Sequence, residues 1–231
     1  MDDNTRITRR GTLVKLAGLV ATAAGGSAWV GSAAAGGTGP AGVASGAVAC
    51  VLTPEQTEGP YYIPGEKLRR DITEGHAGTP LALRLAIVNA SSCRLIRNAT
   101  VDIWHCDAAG VYSGFGAGAA NRTFLRGIQK TDAQGVARFK TIYPGWYQGR
   151  TVHVHVKVHL GGNVVHTGQL YFPDALTDTV FAAAPYSSRP NRSTRNAGDF
   201  VYAQGGKQST LKPTQSGRGY VGAITLGVHA A

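Results

Sequence analysis

The run Thr151-Val-His153-Val-His155-Val-Lys157-Val is where the chain first offers chemistry. Side chains alternate along a β-strand, so Val152, Val154, Val156 and Val158 face one way. His153 and His155 face the other, about 6.6 Å apart along the chain. Neutral imidazole is a good donor to zinc, copper or iron, and this spacing suits two donors to one ion. A solvated strand face is the competing reading, because Lys157 and His159 share that side. The remaining ligands must identify the metal. Zinc would recruit Cys, a third His or a carboxylate. Acids are scarce nearby, Asp132 and Asp174 being the nearest, and His159 and His166 are the other nearby histidines. Tyrosines are more conspicuous. Tyr147 sits in Tyr143-Pro-Gly-Trp-Tyr147-Gln-Gly-Arg150, a turn-rich lead into the His strand, and Tyr112 sits in Gly110-Val-Tyr112-Ser-Gly-Phe. Either tyrosine alone reads as an ordinary core or surface aromatic.

The elements that must position these groups are strands. Leu81-Ala-Leu83-Arg-Leu85-Ala-Ile87 alternates with period two, and Val101-Asp-Ile103-Trp-His105 repeats the alternation. Residues 137–142, 164–172 and 220–228 are rich in β-formers. No segment after residue 50 sustains a helical period. The chain is expected to be all-β, a β-sandwich of mainly antiparallel strands with long active-site loops, since two sheets can cover each other's apolar faces. The polar stretch 184–207 is expected to be a surface loop. No internal repeat is visible.

Composition agrees: 231 residues with 43% apolar and 16% charged residues, 32 Gly and 10 Pro favour strands and turns over long charged helices. That balance excludes a coiled coil and a highly charged disordered chain. The net charge of +10 is spread without a Lys/Arg-rich run. Nucleic acid is therefore not an expected partner, because such binding needs a clustered basic stripe.

The N-terminus points to a compartment. Arg9-Arg10-Gly11-Thr12-Leu13-Val14-Lys15 precedes an apolar Ala/Gly-rich stretch, 16–35, without an acid. Residues 1–35 are expected to be a twin-arginine-type signal peptide, although Thr12 stands where a bulky apolar residue is usual. Its glycines and serines make it a weak bilayer span, so no stable membrane insertion is expected after cleavage. Residues 36–49 read as a small-residue linker and 50–231 as the folded domain.

Four motifs in order resemble one family. Cys50-V-L-T-P-E-Q-T-E-G-P-Tyr61-Tyr62, V-D-I-W-H-C-D-A-A-G-V-Tyr112-S-G-F, Y-P-G-W-Tyr147-Q-G-Arg150-T-V-His153-V-His155 and G-Gln169-L-Y-F-P-D look like the intradiol ring-cleavage dioxygenases. The first motif and W-H-C-D-A resemble the exported branch, and the long helical N-terminal dimerisation region of the catechol enzymes has no counterpart. The resemblance implies a non-haem Fe(III) held by two tyrosinates and two histidines, Tyr112 and His155 equatorial, Tyr147 and His153 axial. It implies an enzyme that cleaves a catecholic substrate with O2 between the two hydroxyl-bearing carbons to a cis,cis-muconic acid. Tyr147 would give way to the catechol and take up a proton. Phenolate oxygen suits a hard ferric ion, whose field should lower a tyrosine pKa from about 10.

Arg150 and Gln169 match the family's active-site arginine and glutamine, with charge stabilisation as their implied work. Thr57, Pro60 and Tyr61 match the segment lining the pocket mouth. Five residues separate Tyr147 from His153, fewer than in cytosolic relatives, so substrate selectivity does not carry over. Among the three cysteines, Cys50 and Cys93 lie in irregular segments, whereas Cys106 ends a strand by the pocket; a Cys50–Cys93 disulfide is the expected pairing. A hairpin of 81–89 with 100–106 would carry Cys106 beyond reach of Cys93. Two other readings stay open: a secreted zinc or copper enzyme using His153, His155 and His159 or His166, and a transthyretin-like sandwich acting as a binding module. Homo-oligomerisation, the cleavage site and the preferred catechol are left open by the residues alone.

Overall fold

The computed structural model describes residues 50–116 and 118–230; the expected signal and linker lie outside the described residues. The strands run in the order β1 (Pro80–Asn89), β2 (Thr100–Trp104), β3 (Arg126–Lys130), β4 (Val136–Ile142), β5 (His153–Leu160) and β6 (Asn163–Tyr171). After these come a helix α1 (Asp174–Phe181) and the strands β7 (Thr214–Ser216) and β8 (Gly219–Val228). They form two four-stranded sheets, β4-β1-β8-β7 and β3-β2-β5-β6. All pairings are antiparallel except β1 with β8.

Period-two alternation explains the core. Leu81, Leu83, Leu85 and Ile87 of β1 are buried, as are Val154, Val156 and Val158 of β5, and they belong to one apolar cluster with Val101, Ile103, Phe139, Leu170 and Leu226. Burying each such side chain contributes about 1.5–3 kcal/mol, which fixes the register of both sheets. The other face of the β3-β2-β5-β6 sheet is thereby left to carry the histidines.

Three expectations change. β1 and β2 lie in different sheets and form no hairpin. Cys50 and Cys93 are nonetheless joined by a disulfide with Cα atoms 5.3 Å apart, and Cys106 is a buried free thiol. A helix occupies 174–181, with Thr177 and Val180 as its buried residues; eight residues with two inward contacts are too short to print a helical period. The stretch 184–207 is not merely a surface loop. Tyr186, Asp199 and Val201 are buried in it, and Asn196 donates from Nδ2 to the Phe172 carbonyl at 2.9 Å.

Candidate metal centre

The pairing of β5 places a row of side chains across the outer face of its sheet. His155 stands opposite Trp104 of β2 and Gln169 of β6, and His153 stands opposite Tyr171. Trp104 stacks on the His155 ring at 4.8 Å and 4°. This face is not solvated: His153, His155 and Lys157 are all buried. The cover is the segment 53–67. Gly59 takes a φ of +72°, and a Cβ there would sit 3.2 Å from His155 Cε1, so glycine lets the strap cross the imidazole. Two residues beyond His155, Lys157 pairs with Glu58 and lies 3.8 Å from the Tyr62 ring centroid.

Over this row the loops bring in both tyrosines. Tyr147 Oη lies 3.1 Å from His153 Nε2, which in turn lies 3.1 Å from His155 Nε2. His153 Nδ1 is 2.7 Å from the Thr151 carbonyl; it donates there, so Nε2 carries the free lone pair. Tyr112 Oη is buried without a hydrogen-bond partner, and its ring lies 5.6 Å from that of Tyr147 and 6.1 Å from that of His155. Two donors each about 2.1 Å from one ion at right angles are about 3 Å apart, the spacing seen here between successive donor atoms. Two phenols and two imidazoles, one phenol orphaned, fit a hard metal ion. Among the described residues no three of His, Cys, Asp or Glu converge on a point. His166 lies across from Val158 on β6, remote from the His153–His155 row.

Electrostatics in the metal-free protein keep every donor neutral. Burial, with help from the Arg150 charge, drives His153 down to about 3, and burial, His153 and Arg150 drive His155 well below its usual range. Burial raises Tyr147 to about 12 against the pull of Arg150, and holds Tyr112 well above its usual value. Neutral imidazoles are ready ligands, whereas the phenols need a nearby cation to ionise.

Beside the donors runs a second network. Arg150 donates from Nη2 to Gln169 Oε1 at 2.6 Å, and Gln169 donates from Nε2 to the Thr57 carbonyl at 2.9 Å. Tyr61 stacks on Tyr112 with centroids 4.3 Å apart and 16° between planes, and meets Tyr147 edge-on at 6.0 Å. Pro60 is exposed in the turn before it. Tyr112, Tyr147, His153, His155, Arg150, Gln169, Thr57 and Tyr61 are thus brought together in one cluster.

Comparison with known proteins falls on this same stretch. A family model described as "Dioxygenase" matches residues 57–192. A solved intradiol ring-cleavage dioxygenase from Tetranychus urticae is 34% identical, aligned over 78% of this chain and 95% of its own, with a TM-score of 0.74. This chain belongs to the intradiol ring-cleavage dioxygenase family. A chlorocatechol 1,2-dioxygenase from Cupriavidus pinatubonensis is 30% identical over 146 residues, 52% of this chain and 56% of that protein. Catechol 1,2-dioxygenase 1 from Acinetobacter lwoffii is 33% identical over 101 residues, 41% of this chain and 32% of that protein. The match therefore spans between a third and just over half the length of those curated relatives.

Within this intradiol chain the fold reveals residues that sequence reading missed. Asp199, fully buried, accepts from Arg150 Nε at 2.9 Å and from the Thr151 amide at 2.7 Å through one oxygen. Its other oxygen accepts the amides of Val201 and Tyr202. Burial opposes its charge, but these amides and Arg150 outweigh burial and hold the carboxyl below its usual range. Asp102, opposite Lys157, and Arg126, opposite Trp104, also lie buried on the sheet that carries His153 and His155. The nearest acids in sequence were not the nearest in space.

Proposed function

We propose that the protein is an exported enzyme that cleaves catecholic rings between the two hydroxyl-bearing carbons. Its centre is a non-haem Fe(III) held by Tyr112, Tyr147, His153 and His155. The observation that carries this reading is the convergence of two phenols and two neutral imidazoles with no carboxylate in the donor set. Ferrous ring-cleaving centres of the other common kind use two His and a carboxylate. A ferric ion held by these residues would supply the hard Lewis acidity that activates a catecholate toward O2.

The chain's own groups do the rest. Tyr147 Oη, a hydrogen-bond neighbour of His153 Nε2, accepts one catechol proton. The Arg150 guanidinium, oriented by Asp199 and Gln169, faces negative charge that develops on the ring and on oxygen. Tyr61 gives the pocket a flat aromatic wall that suits a planar ring. Catechol plus O2 balances to the muconic diacid with no other co-reactant. Export rests on Arg9-Arg10 and the apolar stretch after them, and the Cys50–Cys93 disulfide supports it because disulfides persist in oxidising compartments.

The test is iron-loaded protein with catechol under isotopically labelled O2. A cis,cis-muconic acid carrying label from both oxygen atoms is expected. A yellow hydroxymuconic semialdehyde, or activity that requires ferrous iron, refutes the mechanism. For export, Arg9→Lys with Arg10→Lys traps activity inside the cell; undiminished secretion rejects the twin-arginine route.

A further inference from the structure

Arg126 is fully buried at the start of β3, where an arginine needs a specific reason. Its guanidinium joins two separate parts of the centre. Nε and Nη2 donate to the Ser113 carbonyl at 3.1 and 2.7 Å, and Nε also reaches Ser113 Oγ at 2.9 Å. Nη1 donates to the Tyr61 carbonyl at 2.6 Å. Ser113 Oγ in turn donates to the Phe124 carbonyl at 2.6 Å, which anchors the loop to the residue two before Arg126. The Cζ atom lies 5.9 Å from the Tyr112 ring centroid and 5.5 Å from that of Phe115. Glu66, 3.9 Å away, is the carboxylate paired with it. One planar fork therefore grips the residue next to Tyr112 and the backbone of Tyr61, whose rings lie against each other.

We propose that Arg126 is a positioning residue that locks Tyr112 and Tyr61 into one unit, so that the wall of the substrate pocket and a metal donor are held by a single side chain. This rests on the ferric reading above. A lysine cannot replace it, because one ammonium cannot serve two carbonyls on opposite sides with the geometry of five planar donors. Outer partners of this kind commonly change metal affinity by about 10–100-fold when lost. A residue that served the fold alone would change the melting of the protein and leave the metal centre as it was.

The experiment compares wild type, Arg126→Lys, Tyr61→Leu and the double variant, each refolding-checked by urea melts and then loaded with ferric iron. The readouts are the position of the visible phenolate-to-iron band and the rate at which a chelator removes iron. Arg126→Lys is expected to shift the band and release iron at least about tenfold faster. Tyr61→Leu is expected to do the same to a lesser degree, and the double variant to be no worse than Arg126→Lys, because both act through one stack. Lower stability of Arg126→Lys with unchanged band and release overturns the proposal, as does simple additivity of the two effects. If the lysine variant does not fold, Tyr61→Leu decides: release at the wild-type rate overturns the coupling. A wild-type protein that shows no phenolate band with ferric iron overturns the ferric reading and this inference together, before any variant is compared.

Discussion

Arg150 Nε donates to Asp199 Oδ2 at 2.9 Å across 49 positions of sequence, and the acid is wholly shielded from solvent while the arginine is nearly so. The same carboxylate oxygen receives the Thr151 amide, two residues before His153. The Arg150 guanidinium and the backbone that leads into the first histidine are therefore fixed by one group. Asp199→Asn keeps the shape but removes the counter-charge. It is expected to lower turnover at least tenfold with iron content unchanged, and to cost up to about 3 kcal/mol of stability. Arg150→Ala is expected to cost about 2.7–4 kcal/mol in activation free energy if its loss resembles that of an oxyanion donor. Steady-state kinetics beside metal analysis checks both; full activity in Asp199→Asn would remove Asp199 from the site.

The two tyrosines should separate in their metal-free stability as well as in their chemistry. Tyr112 Oη is buried near the Tyr147 hydroxyl but outside good hydrogen-bond geometry, so Tyr112→Phe removes a poorly satisfied hydroxyl and is expected to leave the metal-free protein within about 1 kcal/mol of wild type. The stabilisation by added iron should largely vanish with it. Tyr147→Phe loses a hydrogen bond to His153 and is expected to slow catechol deprotonation more than it lowers iron content. Thermal melts with and without iron give the first comparison, and stopped-flow binding of catechol the second. Equal iron occupancy and identical spectra in both variants would refute the assignment.

The Cys50–Cys93 bridge closes a loop of 43 residues and ties the start of the strap to the turn after β1. Loop closure of that length is worth about 4 kcal/mol in the unfolded chain, with measured values commonly below that figure. Cys93→Ser is expected to lose about 2–4 kcal/mol in urea melts and to loosen the 53–67 strap, so that catechol KM rises more than kcat falls. A reducing agent should lower the wild-type midpoint to the same value; no change on reduction would count against the bridge.

The readable parts of this chain were those where one physical rule acts locally. Alternation in 81–87 and 152–158 marks β1 and β5 because half of each strand must meet the core. The His153–His155 pair was visible for the same reason. β3 was missed because Arg126 and Lys130 bound a strand whose buried cation is satisfied by Ser113, the Tyr61 carbonyl and Glu66, none of them on the strand itself. β7 has three exposed residues at a sheet edge and almost no pattern to print. Asp199 sits in a polar stretch that by composition belongs at the surface; it is internal because its bonds reach Arg150 and Thr151, and no local spacing encodes that. That the histidine face is buried rather than solvated likewise depends on a strap that arrives from residue 53 onward.

Asp102 makes the stability of the metal-free protein depend on pH in a predictable sense. Burial raises its carboxyl to about 7, with Glu66 adding to the rise, while the Tyr62 hydroxyl and Arg126 work in the opposite direction. Glu66 is itself raised by burial. In the unfolded chain Asp102 titrates near 3.9. Between about pH 4 and 7 the native state therefore holds a proton that the unfolded state has released. Stability from this group is fully present below the unfolded value and is lost as pH rises through the folded one, by up to about 4 kcal/mol for a shift of this size. Asp102→Asn keeps a neutral side chain at every pH. The variant should match wild type near pH 4 and exceed it at pH 8, and the slope of stability against pH between 5 and 7 should flatten. Urea melts of iron-free protein across that range measure the slope directly; an unchanged slope in the variant would mean that Asp102 is ionised in the fold and paired with a cation.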